Sequence, residues 1–189
     1  RLPVRFNYDD NYYNKRFQAI PAEGYSAVIA RILEHPLIEV KLGTAYEAAM
    51  STEFAHVCYT GPLDQFFDYA EGRLGYRTVF WETQETAGDY QGNPIINFPE
   101  LNDPHTRQIE HKHFTPWETH PRTVVFTEFS KETGPEDIPY YPKRLATDKA
   151  LLARYAARVE ASEGVSFLGR LATYRYLDME KVIAEALDF

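Results

Sequence analysis

Two arginines stand where an anion could be gripped. Arg107 opens a strand-like run at Thr106-Arg107, and Arg170 follows Gly169 directly after a short apolar run. A guanidinium offers a planar fork of donors that pairs two at a time with phosphate oxygens. Farther along, Asp178 takes an N-cap position ahead of the amphipathic run Met179, Val182, Ile183, Ala186 and Leu187. A helix starting there turns backbone N–H groups and a positive dipole end toward an electron-rich atom. The first 21 residues add Arg1, Arg5, Tyr8, Tyr12 and Tyr13, which supply phosphate donors and flat faces for a base or sugar. Taken singly, each has an ordinary account as a solvated arginine, a capped helix or an aromatic packed sideways.

Other chemistries find less support. Glu110-His111-Lys112-His113 puts two imidazoles on one face if the segment is extended. Without an HExxH helix or paired cysteines this falls short of a metal site, and none is expected. No GxSxG is present, so a hydrolase nucleophile elbow is not indicated.

The positioning elements can be read from periodicity and breakers. Val28, Ile29, Ile32 and Leu33 recur at helical spacing after Ser26, the expected N-cap, and His35-Pro36 stops the run. Residues 38–42 alternate like a strand, and residues 54–59 form a second strand candidate ending in Thr60-Gly61-Pro62, a turn that lets a ligand approach the backbone. Residues 63–69 read as a helical turn with Phe66 and Phe67 buried. Residues 76–82, 88–98, 106–114 and 123–129 read as an antiparallel meander. Polar residues at alternate positions, Glu82, Gln108, Glu110 and Glu128, suit a sheet with one face packed and the other open to a ligand. Residues 148–161 form the strongest helix, with Leu151, Leu152, Tyr155, Ala156 and Val159 on one stripe and Gly164 as terminator. The fold class expected is α+β or α/β, with an antiparallel sheet domain inserted between segments of an α/β domain. The boundaries are 1–20, then 21–71 together with 145–189, and 72–144 for the sheet.

Composition bounds the partners. The 189 residues are 44% hydrophobic and 15% aromatic, enough for one good core or two small ones. The net charge of −8 argues against nucleic acid or an anionic membrane surface, so a phosphate site must be local. Cys58 is the single cysteine, which permits no internal disulfide, and no apolar run reaches 18 residues. The expectation is a cytoplasmic protein whose sequence begins inside a longer chain.

The segments RLPVRFNYDD, YTGPLDQFFDY, GYRTVFWE, YQGN, TRQIEHKHF, PYYP and GRLATYRYLDM, in that order, resemble the carboxy-terminal half of the UDP-galactopyranose mutase family. The resemblance covers essentially the whole chain. It departs from the family by omission, since the opening GxGxxG dinucleotide fingerprint is missing.

What the resemblance implies is specific. The family interconverts UDP-galactopyranose and UDP-galactofuranose on reduced FAD, through a covalent adduct to flavin N5 and without net redox change. Arg1 and Arg107 match arginines that reach the substrate diphosphate. Tyr12, Asn97, Glu128, Tyr141, Tyr176 and Asp178 match residues lining the substrate pocket. Thr60, Gly61, Arg170, Asp178 and Met179 match the cofactor side. The implied partners are UDP-galactose and UDP-galactofuranose, a reduced nicotinamide as electron donor, and a second copy in a homodimer. The discontinuous α/β segments would be the flavin-binding domain and the sheet the substrate domain, and the chain alone would be inactive. Two other readings are a flavin oxidoreductase of related architecture and a nonenzymatic nucleotide-sugar-binding module.

Overall fold

The computed structural model describes residues 6–8 and 15–189. Along the chain run α1 (Gly24–Leu33), α2 (Met50–Glu53), β1 (Val57–Tyr59), α3 (Leu63–Phe66), β2 (Tyr76–Ala87), β3 (Ile95–Asn97), β4 (Arg107–Glu110) and a 3-10 turn (His111–Phe114). They are followed by β5 (Arg122–Glu132), β6 (Tyr141–Pro142), α4 (Ala146–Glu160), β7 (Val165–Phe167), α5 (Gly169–Ala172) and α6 (Met179–Asp188). The fold is mixed α+β with an antiparallel sheet, as the sequence leads one to expect. Two compact units are present, residues 1–44 with 81–129 and residues 45–80 with 130–189.

The sheet departs from a plain meander. Its order is β3-β4-β5-β2-β6, so β2 lies between β5 and β6 and the chain crosses to β3 at the far edge. Among the described strands, only β3, β4 and β5 are both consecutive in the chain and adjacent in the sheet. Periodicity marks strands but carries no information about which long-range pairing wins.

The second unit holds the apolar core, built from Leu63, Leu74, Tyr76, Tyr155 and Tyr174, with Phe67, Leu151, Leu152, Val159, Phe167 and Leu171 packed against it. Of the expected stripe of α4, Leu151, Leu152, Tyr155 and Val159 thus do face a core, whereas Ala156 is exposed. The two fully buried tyrosines also satisfy their hydroxyls, as buried polar groups must. Tyr155 Oη donates to Gly72 O at 2.7 Å, and Tyr174 Oη to Gly75 O at 2.6 Å. Phe66 and Phe67 are half-buried rather than buried, ringed by Phe167 at 4.8 and 5.8 Å. The start of α4 is held by Asp148, whose Oδ2 accepts from Leu145 N at 2.9 Å. In the same unit, β1 pairs with β7 in parallel, Val57, Cys58 and Tyr59 standing opposite Val165, Ser166 and Phe167.

In the first unit, several expectations fall. Helix α1 begins at Gly24 with Glu23 as N-cap, placing Ser26 inside it, and none of its residues is buried. Among the described residues, 38–42 pair with no strand; Ile38, Val40 and Leu42 are exposed. Within residues 88–98 only Ile95–Asn97 is extended as a strand, and 106–114 splits at Glu110 into β4 and the 3-10 turn. His111 and His113 therefore do not share a strand face. Nor are Glu110 and Glu128 solvent-facing: both are buried, because the protein supplies them with partners.

Candidate active site

Two groups of side chains carry the chemistry singled out from sequence, one in each unit. In the second unit the parallel pair β1–β7 sets the frame. Thr60-Gly61 follows the carboxyl end of β1, and Gly169-Arg170 follows the carboxyl end of β7 one residue on, with Leu168 N donating to Tyr59 O at 3.0 Å. The carboxyl ends of neighbouring parallel strands are where open α/β sheets receive ligands. Gly169 has φ +77°, a conformation that costs any residue with a Cβ, and it throws the chain from β7 straight into the single turn of α5 that carries Arg170. Gly61 has a local explanation: a Cβ there would stand 2.5 Å from the Tyr59 hydroxyl, which folds back to donate to Pro62 O.

Arg170 does not point at random. Its guanidinium carbon lies 4.7 Å from the centroid of the Tyr141 ring, and Tyr141 stacks on Tyr176 at 5.9 Å with 19° between planes. A cation on one ring and a second ring beside it leave two phenol hydroxyls and a guanidinium edge in one patch. Arg77 was missed from the sequence. It stands directly opposite Tyr141 in the β2–β6 register, so the two side chains share a face. Ser130 Oγ accepts from its Nε and Nη2, and Glu132 Oε1 accepts from Nη1 at 3.0 Å. Alternation in Tyr76-Arg77-Thr78 was the available signal. Asp178 precedes α6 with extended backbone and makes no side-chain capping bond, its carbonyl accepting from Lys181 N and Val182 N; Met179 begins the helix, half exposed.

In the first unit, Asn97, Arg107 and Glu128 stand in one cross-strand row: Asn97 opposite Arg107 in β3–β4, and Arg107 opposite Glu128 in β4–β5. Residues directly opposite one another present side chains to the same face. Arg107 Nε is 2.8 Å from Glu128 Oε1, but the N–H is not aimed along that line, so the contact is one of charge rather than an aligned hydrogen bond. The same Glu128 oxygen accepts from Thr106 Oγ1 at 2.8 Å. Arg107 is about one-third exposed, its carboxylate partner almost wholly buried, so the row presents an oriented cation. Arg1 and Tyr12 lie outside the described residues.

Asp89, Glu110 and His113 bring ligand-type atoms within 4.8 Å of one another. The Glu110 carboxylate already accepts from Gln91 N at 2.8 Å and Tyr90 N at 3.2 Å, and Lys112 Nζ stands 3.5 Å from Oε1. The backbone donors and the ammonium take the place a metal ion would need. Burial pushes this carboxyl up, but the Gln91 amide, the nearby Thr123 hydroxyl, the Tyr90 amide and the neighbouring His113 outweigh it and hold it at about 2. Two cavities, of about 760 Å³ beside Tyr25 and Phe114 and about 430 Å³ beside Asp64 and Arg73, are not lined by Arg107, Arg170, Tyr141 or Tyr176.

Against models of known families, residues 1–176 match the one described as UDP-galactopyranose mutase. The chain belongs to the UDP-galactopyranose mutase family. It is 48% identical over 187 residues to a probable UDP-galactopyranose mutase of Klebsiella pneumoniae, covering 99% of this chain and 49% of that protein. A dTDP-fucopyranose mutase of Escherichia coli is 44% identical over 195 residues, with 100% and 52% covered. The UDP-galactopyranose mutase of Mycoplasma pneumoniae is 32% identical over 205 residues, with 99% and 51% covered. The chain spans about half the length of the curated relatives it matches. A crystal structure of reduced UDP-galactopyranose mutase superimposes with a TM-score of 0.51 at 14% identity, over 65% of this chain and 37% of that one, a likeness of fold.

Proposed function

We propose that this chain is the part of a flavin-dependent UDP-galactopyranose mutase that grips the nucleotide-sugar diphosphate and one side of the cofactor. The observation that carries the reading is the Arg170–Tyr141–Tyr176 group beside the carboxyl ends of β1 and β7. Ring contraction requires the anomeric carbon to lose its nucleoside diphosphate, and negative charge grows on the bridging oxygen as that bond breaks. Preoriented guanidinium and phenol donors stabilise that charge more than they stabilise the ground state. Arg107 is suited to the same work: strand pairing and the buried Glu128 carboxylate orient it before substrate arrives. Tyr141 and Tyr176 donate hydrogen bonds to phosphate oxygens, and Asn97 and Glu128 shape the sugar end. Arg1 and Tyr12 take their proposed diphosphate and pocket roles from resemblance.

Thr60, Gly61, Arg170, Asp178 and Met179 would hold FAD. The two strand ends and the cation suit one side of that group, while the dinucleotide fingerprint for its adenosine end is not among these 189 residues. When bound, reduced flavin would supply the nucleophile, so no side chain here would need to attack the sugar. Alone, the chain is inactive on this reading. A reduced nicotinamide donor, a homodimer and a cytoplasmic setting belong to the same proposal.

The similarity to a dTDP-fucopyranose mutase supports one rival reading, in which that nucleotide sugar replaces UDP-galactopyranose as substrate, because a diphosphate clamp could serve either. The test is turnover by the full-length protein, reduced with dithionite, on UDP-galactopyranose and on dTDP-fucopyranose. Furanose product from the first and little from the second is expected. The reverse preference would reassign the substrate, and hydride-transfer products with no furanose would make the protein an oxidoreductase. Arg107→Ala is expected to abolish turnover while flavin absorbance is retained; ordinary activity in that variant would remove the clamp assignment.

A further inference from the structure

Glu110 is a wholly buried, ionised side chain that the proposed reaction does not use. Strand alternation puts it, three residues after Arg107, on the opposite face of β4. From there it ties down the chain between β2 and β3 almost residue by residue. Its carboxylate accepts from Tyr90 N and Gln91 N, and its own N–H donates to Pro94 O at 2.9 Å. Lys112, held beside it, donates to Gly88 O at 2.5 Å, and Gln91 Nε2 donates to Asn93 O at 2.7 Å. Immediately beyond this clasp comes β3, a three-residue edge strand that carries Asn97. So short an edge strand specifies its own register weakly, and a slip of one residue would turn Asn97 to the other face, away from Arg107.

We infer that Glu110 is a positioning residue, whose clasp on residues 88–94 from behind the sheet sets the register in which Asn97 stands opposite Arg107. The inference rests on the proposed role of the Asn97–Arg107–Glu128 row. A carboxylate suits the task because it takes two backbone donors at once and is offset by the Lys112 ammonium, whereas Gln would turn an N–H₂ toward one of the donors.

The experiment is a double-mutant cycle on turnover in the full-length, flavin-bound protein, with Glu110→Gln, Asn97→Ala and the pair, assayed well below their melting temperatures. Each single change is expected to lower kcat/KM by about tenfold or more, with flavin content unchanged, as misplacement of a contact residue does. In the Asn97→Ala background, Glu110→Gln should cost less than about twofold, since its route has been removed. Equal factors in both backgrounds, or a silent Asn97→Ala or Glu110→Gln, would overturn the inference. Should Glu110→Gln fail to fold, Gln91→Ala, which frees Asn93 O without burying an unpaired charge, takes its place under the same criteria. Arg107→Ala run in parallel separates the two failures. If it leaves turnover intact, the functional reading falls. If it abolishes turnover while the cycle is multiplicative, only the positioning inference falls.

Discussion

Arg107 and Glu110 are three residues apart and illustrate opposite uses of charge. Arg107 keeps about a third of its side chain in solvent beside a buried carboxylate, so it is oriented yet able to meet a ligand. Glu110 is closed off entirely and spends its charge on backbone amides. Glu110→Gln is expected to cost about 2 kcal/mol at pH 7, the ordinary loss when hydrogen bonds to a buried charge are broken. The sign of the pH dependence follows from its depressed pKa. A carboxyl held at about 2 when folded and near 4.5 when unfolded contributes stability above the higher value and loses it as pH falls through the lower. Thermal melts from pH 7 to pH 2 should show the gap between native and variant protein closing; a constant gap would mean the carboxylate is not the ionised anchor described.

At the scale of elements, the turn between β7 and α5 does the positioning. Gly169 is buried, at φ +77°, and a Cβ there would find Val182 Cγ1 at an ordinary 3.8 Å. The objection to a side chain at this position is thus conformational rather than steric. Gly169→Ala is expected to destabilise the chain by about 1–2 kcal/mol through the left-handed backbone alone. Because Arg170 is the next residue, flavin retention in the full-length protein should fall further than that cost would suggest. Urea unfolding alongside flavin absorbance would separate the two effects, and a variant that unfolds early but holds flavin normally would show Arg170 to be positioned independently of the turn. The glycine was legible in the sequence as a turn between an apolar run and a capped helix, because all the relevant signals lie within some twenty residues. Asp178 was legible as an N-cap position for the same reason.

For the molecule as a whole, the proposed function turns on how much of a flavin site 189 residues would supply. The chain offers the carboxyl ends of two parallel strands and the Arg170–Tyr141–Tyr176 group, but no dinucleotide fingerprint. Incubated with FAD and freed of excess, it is expected to be colourless, whereas the full-length protein should retain a flavin band. A band retained by the 189-residue chain would mean that this half holds flavin by itself, and turnover under dithionite would then have to be assayed on it directly.

The sequence by itself determined the local pieces and the family: the strand-turn-helix of residues 165–188, the helix with its apolar stripe, and the order of the motifs. These depend on neighbours a few residues away, so periodicity, capping and glycine placement suffice to read them. Only the tertiary structure decided the rest. It put β2 between β5 and β6, set β1 beside β7, stacked Arg170 on Tyr141 and brought Arg77 opposite it. It also turned the Glu110-His111-Lys112-His113 run from an extended segment with a metal-like pattern into a buried anchor followed by a 3-10 turn. The physical reason is one of range: the partners of Glu110 lie about twenty residues upstream and those of Arg170 about thirty, so the free energy that selects these arrangements resides in contacts that no local pattern encodes.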